Sequence, residues 1–196
     1  MRGFYWAHAP QHAQANVLDH HGALPDWFWT GHTRMACLAH AIGQTLRTGY
    51  AHHIQRLMVI GNFALLAGLD PAEVDTWYLG VYVDAFEWVQ QPNTRGMSQW
   101  ADGGLLATKP YVSSAAYLAR MGDACKGCAF DPKQRLGAQA CPFNALYWDF
   151  FMRHTPKLAR NPRLGMVYKQ IAAMPESMQE NIRQRSLELR QTLQNL

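Results

Sequence analysis

The chain has 196 residues, with 18 Lys and Arg against 14 Asp and Glu, and a formal net charge of +4 when its nine His are neutral. That length is enough for one large domain with a sizeable core, and the basic balance permits a nucleic-acid partner without requiring one. No run of eighteen apolar residues and no signal-peptide-like leader occurs, so a membrane-spanning helix is excluded and the expected location is cytoplasmic.

Residues 1 to 30 are rich in aromatics and His but aperiodic, with Pro10 and Pro25 as breaks, and read as a segment that packs on something outside the chain. Phe4, Tyr5 and Trp6 crowd core-type residues into a place where termini are ordinarily polar, so the start does not read as a natural domain boundary. From Thr30 or Thr33 to about Thr48, Met35, Leu38, Ile42 and Leu46 repeat at helical spacing, and Gly49 supplies a stop. A second helix, about Ala51 to Ala67, is apolar on most sides and ends at Gly68, which marks it as central. Asp70, Pro71 and Glu73 supply an N-cap, a first-position proline and a capping-box glutamate for a third helix reaching about Val89.

Pro92 to Val112 carries turn chemistry without a period and reads as a long irregular, functional loop. A short helix is expected over Ser114 to Met121, and an aromatic one from Cys141 or Pro142 to about His154. Lys157 to Ala173 reads as helical with a break near Pro162, and Pro175 opens a polar C-terminal helix within residues 174–196. Strand signals are weak throughout, so the fold class is all-α.

Cys125, Cys128 and Cys141 form a CxxC followed by a Cys-Pro in a stretch rich in Gly, Pro and Lys, too polar and broken to order itself by burial. A metal centre gripping thiolates would order it, with Cys37 as the remaining ligand. A disulfide is the weakest reading for a chain expected in a reducing compartment. Structural zinc ordinarily uses two CxxC-like knuckles, and only one is present, which puts an iron-sulfur cluster ahead and leaves zinc open.

His52 and His53 open the second helix, and adjacent residues there point about 100° apart, so one can face a cleft while the other packs. A histidine satisfied by a backbone carbonyl is the plain alternative. Arg56, on an otherwise apolar helix, needs a partner because a lone buried guanidinium costs several kcal/mol, and Asp84 on the third helix is the expected one. Trp27, Trp29, Trp77, Tyr78, Trp100, Tyr111 and Tyr117 read, on their own, as packing residues.

Taken together, Thr33 to Met35, Tyr50 to Met58, Asp84 to Trp88, Pro92 to Ser98, Ala101 to Gly104, Lys109 to Tyr111, the CxxC and Ala140 to Phe143 follow one another as in a known family. Residues 1–173 resemble the iron-sulfur bacterial branch of the cryptochrome and photolyase family, which includes prokaryotic (6-4) photolyases. The resemblance implies light-dependent repair of pyrimidine dimers in UV-damaged DNA, of the (6-4) type, by electron transfer from excited reduced FAD. It implies a helical FAD-binding domain with a 4Fe-4S cluster on Cys37, Cys125, Cys128 and Cys141. It makes Arg56 and Asp84 an ion pair beside the flavin ring, with Gln90 and Asn93 as flavin contacts, Gln90 standing where the family usually has Glu. His53, beside His52, becomes the residue that protonates the lesion. Tyr111 and Tyr117 resemble lesion-side residues, and Trp77, Tyr78 and Trp29 a route for re-reducing the flavin.

The resemblance covers only the C-terminal part of such proteins. Residues 1–196 are therefore expected to be a partial FAD and iron-sulfur domain, without the antenna domain and flavin diphosphate-binding part, and a separate or missing N-terminal portion is an implied partner. Two other functions fit the same residues. One is a blue-light cryptochrome photoreceptor that repairs nothing. The other is an iron-sulfur nucleic-acid-binding module resembling the primase large subunit, served by Lys126, Lys133, Arg135 and Arg153.

Overall fold

The structure, a computed structural model, describes residues 2–196. In chain order these form α1 (Arg2–Gln14), α2 (Trp27–Thr30), α3 (Ala36–Thr48) and α4 (His53–Gln55), which runs through a π-helical segment (Arg56–Gly61) into α5 (Asn62–Ala67). Next come α6 (Pro71–Val81), α7 (Glu87–Gln91) and a second π-helical segment (Pro92–Ser98). After a long connection follow α8 (Ala115–Met121), α9 (Pro142–Arg153), α10 (Thr155–Leu158), α11 (Gly165–Ala172) and α12 (Glu176–Gln191). Among the described residues, β-pairing is confined to the isolated bridges Gly22–Leu69 and Asp131–Ala140, so the fold is all-α as expected. No described helix is long and apolar enough to cross a membrane.

Strong local signals fixed their boundaries. Gly68 adopts a left-handed conformation (φ 79°) and returns its N–H to the carbonyls of Ala64 and Leu65, ending α5. The Asp70 side chain accepts from the Ala72 N–H at 2.8 Å, and Pro71 opens α6. The expected capping box is not formed, because Glu73 instead accepts from the Leu24 N–H at 2.6 Å.

Four expectations are corrected. Helix α1 runs straight through Pro10, in a region expected to be broken. It lies on α7 and the Pro92–Ser98 segment, and tertiary bonds replace an apolar stripe: His12 Nε2 meets Asp102 at 3.2 Å and the Tyr5 hydroxyl donates to Glu87 at 3.0 Å. The segment expected to pack outside the chain thus packs within it. Helix α3 begins only at Ala36. Helix α6 stops at Val81 because Tyr82 turns extended (φ −96°, ψ 126°), which leaves Asp84 in a turn and not on the helix. Finally, Pro92–Ser98 is helical: it runs on directly from α7, and Pro92, which has no N–H to return to the preceding turn, stands where the wide turn begins.

Two compact units divide the chain: residues 2–33 with 37–112, and residues 34–36 with 113–196. In the first, Phe28, Ile42, Ile60, Phe63, Leu65, Leu66 and Trp77 are fully buried. In the second, α9 packs along α12 around Phe143, Leu146, Phe150, Phe151, Ile182 and Leu189. That apolar seam encloses one carboxylate, Asp149, which is 2% exposed. It accepts from Arg153 Nε at 2.7 Å, from the Ser186 hydroxyl at 2.8 Å and from Arg190 Nη1. A buried charge with three donors ties α9 to α12, while both guanidiniums reach solvent in part.

Replacing Asp149 by Ala should lower the unfolding free energy by about 2–4 kcal/mol. Urea denaturation checks this, and a change below about 0.5 kcal/mol would show that the seam does not need its charge.

Candidate functional site

The first unit holds a cavity of about 230 Å³ whose lining includes Tyr50, His53, Arg56, Leu57, Tyr78, Asp84, Val89, Gln90, Asn93 and Thr94. Arg56 is its electrostatic centre. Its Nη1 and Nη2 donate to the two Asp84 oxygens at 2.9 and 3.0 Å, a bidentate pair, and its Nε donates to the Ala51 carbonyl at 2.7 Å. The guanidinium also lies 3.8 Å from the Tyr82 ring centroid and 5.1 Å from that of Tyr50. Planar stacking plus a bidentate fork is a geometry that Arg can satisfy and Lys cannot.

The wide turn at Arg56–Gly61 belongs to this arrangement. The Tyr78 hydroxyl donates to the Arg56 carbonyl at 2.6 Å, a side-chain donor of the kind that widens a helix turn. Gly61 is needed there, since a Cβ would stand 2.1 Å from the Ser98 hydroxyl and 2.8 Å from the Arg56 carbonyl. Burial pushes the Tyr78 phenol well above its ordinary range and that of Tyr82 up to about 12, so both stay neutral.

Of the site residues expected from sequence, His53, Arg56, Asp84, Tyr78, Gln90 and Asn93 all line this cavity. Gln90 is buried and donates through Nε2 to the Thr94 hydroxyl, and Asn93 Nδ2 donates to the Val89 carbonyl at 2.8 Å. His52 is outside the lining and caps α4: its Nδ1 accepts from the Ile54 N–H, while Gln55 accepts from the His52 N–H at 2.9 Å. Trp77 is fully buried between Phe28 and Tyr78, with ring centroids 5.3 and 5.4 Å away. Trp29 is 56% exposed on α2, outside that stack. Tyr111, in the first unit, is partly exposed and not in the lining, and Tyr117 lies on α8 in the second unit. Sequence reading missed Tyr50 and Tyr82, which sandwich Arg56, and Thr94, which holds Gln90.

The volume and walls suit a planar ring system. Drug-sized ligands take roughly 300–1,000 Å³, so this cavity accepts a flat heterocycle and not a whole dinucleotide. Neutral phenols, an amide and an Arg–Asp pair offer both donors and acceptors to the edge of such a ring.

In the second unit the cysteine loop is ordered by polar contacts. Asn144, at the start of α9, donates to the carbonyls of Pro132 and Gln134 and accepts from the Ala115 N–H at 3.1 Å. Asp131 accepts from the Lys133 N–H and from Gln134, and its own carbonyl takes the Cys141 N–H at 3.0 Å. The sequence leaves this loop to be ordered by something other than burial, and these side-chain contacts supply part of that order between Asp131 and Asn144.

Among the described residues, no three His, Cys, Asp or Glu side chains stand as a ready-made metal site. Burial pushes the Cys141 thiol up to about 12, and the neighbouring Cys125 and Cys128 add to the rise. Cys125 is raised too, by burial and by Cys128. Cys128 thus bears on Cys125, and both bear on Cys141, a neighbourhood of thiols that a thiophilic cation would relieve, and Cys141 precedes the N-terminus of α9, where the helix dipole favours negative charge. Cys37 lies on α3, in the first unit.

No family model matches the chain. Over 183 residues, 93% of its length, it is 54% identical to a protein of Agrobacterium fabrum (strain C58 / ATCC 33970) described as a (6-4) photolyase. A second match, 39% identical over 64 residues, is Uncharacterized protein R855 of Acanthamoeba polyphaga mimivirus. The matched stretches span 36% of the first relative and 52% of the second.

A double-mutant cycle on folding stability with Arg56→Met and Asp84→Asn should give a coupling of about 1 kcal/mol, kept small because Asp84 is half exposed. A coupling indistinguishable from zero would mean that Arg56 is held by Ala51 and the tyrosines alone.

Proposed function

From the bacterial (6-4) photolyase and cryptochrome family, to which the chain belongs, we propose that it forms the flavin-facing part of a light-dependent repair enzyme for (6-4) lesions in DNA. The observation that carries this is the convergence of His53, Arg56, Asp84, Gln90 and Asn93 on one cavity of ring-system size. FAD, when bound, supplies light-driven one-electron donation.

The chain's own residues bind, orient and protonate. Arg56, fixed by Asp84, Ala51 and Tyr82, offers a positive charge that cannot swing away from the pocket wall. Gln90 and Asn93 present amide edges to the ring, and Leu57, Val89 and the Tyr78 ring exclude water from its faces. His53, exposed at the rim, is the side chain that gives the lesion its proton, imidazole being the commonest general acid–base group. His52 positions that rim by capping α4. Trp77 and Tyr78 form a buried aromatic contact suited to passing an electron toward the site, with exposed Trp29 at the solvent end. An extruded lesion costs little to unstack, and Tyr111 and Tyr117 are the aromatic surfaces offered to it.

Cys125, Cys128 and Cys141 are proposed as thiolate ligands of a 4Fe-4S cluster, with Cys37 supplied as the fourth by the family resemblance. The rise at Cys125 and Cys141 caused in part by neighbouring thiols supports thiolate ligation, and the cysteine order favours iron over zinc.

Protein purified without oxygen should carry roughly four iron and four sulfide per chain and lose both in Cys128→Ser; colourless, zinc-loaded protein would overturn the cluster. In illuminated protein given the N-terminal portion, FAD and (6-4)-damaged DNA, His53→Ala should cut repair by about 10²-fold or more with lesion binding kept. Undiminished repair would remove His53 from its role, and flavin photoreduction with no repair in the parent chain would favour a photoreceptor.

A further inference from the structure

The second unit carries a cavity that the proposed reaction does not use. It measures about 370 Å³, and its walls include Arg135, Trp148, Gln170, Met174, Pro175 and Met178. Both walls are fixed by hydrogen bonds. Asn144 and Trp148 stand one turn apart on α9, and Asn144 Nδ2 holds the Gln134 carbonyl at 2.7 Å. That brings the next residue, Arg135, over the indole, with its guanidinium 5.1 Å from the ring centroid. The turn from α11 into α12, which supplies Met174 and Pro175, is pinned by Gln179 Nε2, a donor to the carbonyls of Ile171 at 3.2 Å and Met174 at 3.0 Å.

This lining offers flat surfaces and open donors. Arg135 has no carboxylate partner among the described residues, and neither the Trp148 indole N–H nor the Gln170 side-chain amide has a hydrogen-bond partner there. None of the residues that form the walls is acidic. A guanidinium over an indole, with two thioethers beside them, suits a second flat ring, and the amide and the indole N–H can meet polar atoms on its edge.

Charge says what kind of molecule carries that ring. Of the 18 Lys and Arg, 13 lie in the second unit with 6 of the 14 Asp and Glu, whereas the first unit has 5 against 8. The second unit is therefore strongly basic and the first acidic, so a polyanion is drawn to the second. We propose that the cavity takes an unpaired base of a DNA strand, stacked on the Trp148–Arg135 pair, with the adjoining phosphate on the Arg135 N–H groups. An apolar peptide would use the Met and Trp surfaces, but it would leave the guanidinium and the surrounding positive charge without a counterpart. A base with its phosphate uses all of them.

The inference rests on the DNA reading for its class of ligand and adds a strand contact within the second unit. Its test uses neither flavin, light nor damage, so a chain that repairs nothing can still pass it, and failure here leaves the assignment of the His53 cavity intact. The 196-residue chain is titrated against two end-labelled single strands, oligothymidylate and the same backbone without bases, with binding read by fluorescence anisotropy. The parent chain is expected to prefer oligothymidylate by about tenfold or more, and the preference disappears in Trp148→Ala. Arg135→Gln is expected to weaken binding and to flatten the slope of log affinity against log salt by about 0.7, the share of one phosphate contact on a single strand. Oligothymidylate that does not bind, equal affinity for both strands in the parent, or an undiminished preference in Trp148→Ala overturns the proposal, and the last result would leave the cavity to an apolar peptide. Should Trp148→Ala not fold, unchanged affinity and salt slope in Arg135→Gln, a substitution at an exposed position, overturn it equally.

Discussion

A guanidinium on an apolar helix cannot be left alone, and much of the first unit can be traced to how Arg56 is satisfied. Three of its N–H donors find the Ala51 carbonyl and both oxygens of Asp84. That requirement fixes where α6 must end, because Asp84 reaches Arg56 only from a turn, and Tyr82, extended just before it, lays its ring on the guanidinium face. The Tyr78 hydroxyl takes the Arg56 carbonyl, which accompanies the wide turn and places Leu57 and His53 on the cavity wall. Cation-π contact at this distance contributes on the order of 0.5–2 kcal/mol, comparable with the half-exposed ion pair, so neither interaction alone explains the geometry.

The second unit solves a different problem with the same means. A polar loop containing three cysteines has little to bury, yet Asn144 and Asp131 fix part of it from inside through hydrogen bonds to backbone groups and to Gln134. The segment from Asp131 to Cys141 is held in this way, and burial holds back ionisation of Cys125 and Cys141. Asp149 anchors the opposite end of α9 to α12, so the helix that begins at the cysteines is pinned at both ends.

Much of this was legible in the residues. Gly68, Asp70 and Pro71 carry their conformations locally, and the Arg56–Asp84 pair follows from the cost of a solitary charge. Other features depend on partners distant in sequence. Nothing near Pro10 says that α1 will be helical, because its support comes from Asp102 and Glu87, some 80 to 90 positions away. Glu73 has capping-box spacing but binds Leu24, a tertiary choice that no local rule contains. The π-helical turn was hidden because its cause, Tyr78, lies 22 residues further on. Asn144 had a faint signal, an amide among aromatics in the first turn after Cys141. Tyr82 had one too, two residues ahead of the acid that Arg56 requires.

The most direct measurement is a titration of lumiflavin, the bare flavin ring, with the chain, following the quenching of flavin fluorescence in the dark. Saturable quenching that weakens about tenfold or more in Arg56→Met, a loss of roughly 1.4 kcal/mol, is the expected result. Quenching that fails to saturate, or that is the same with and without the guanidinium, would contradict the assignment of this cavity to a flavin ring.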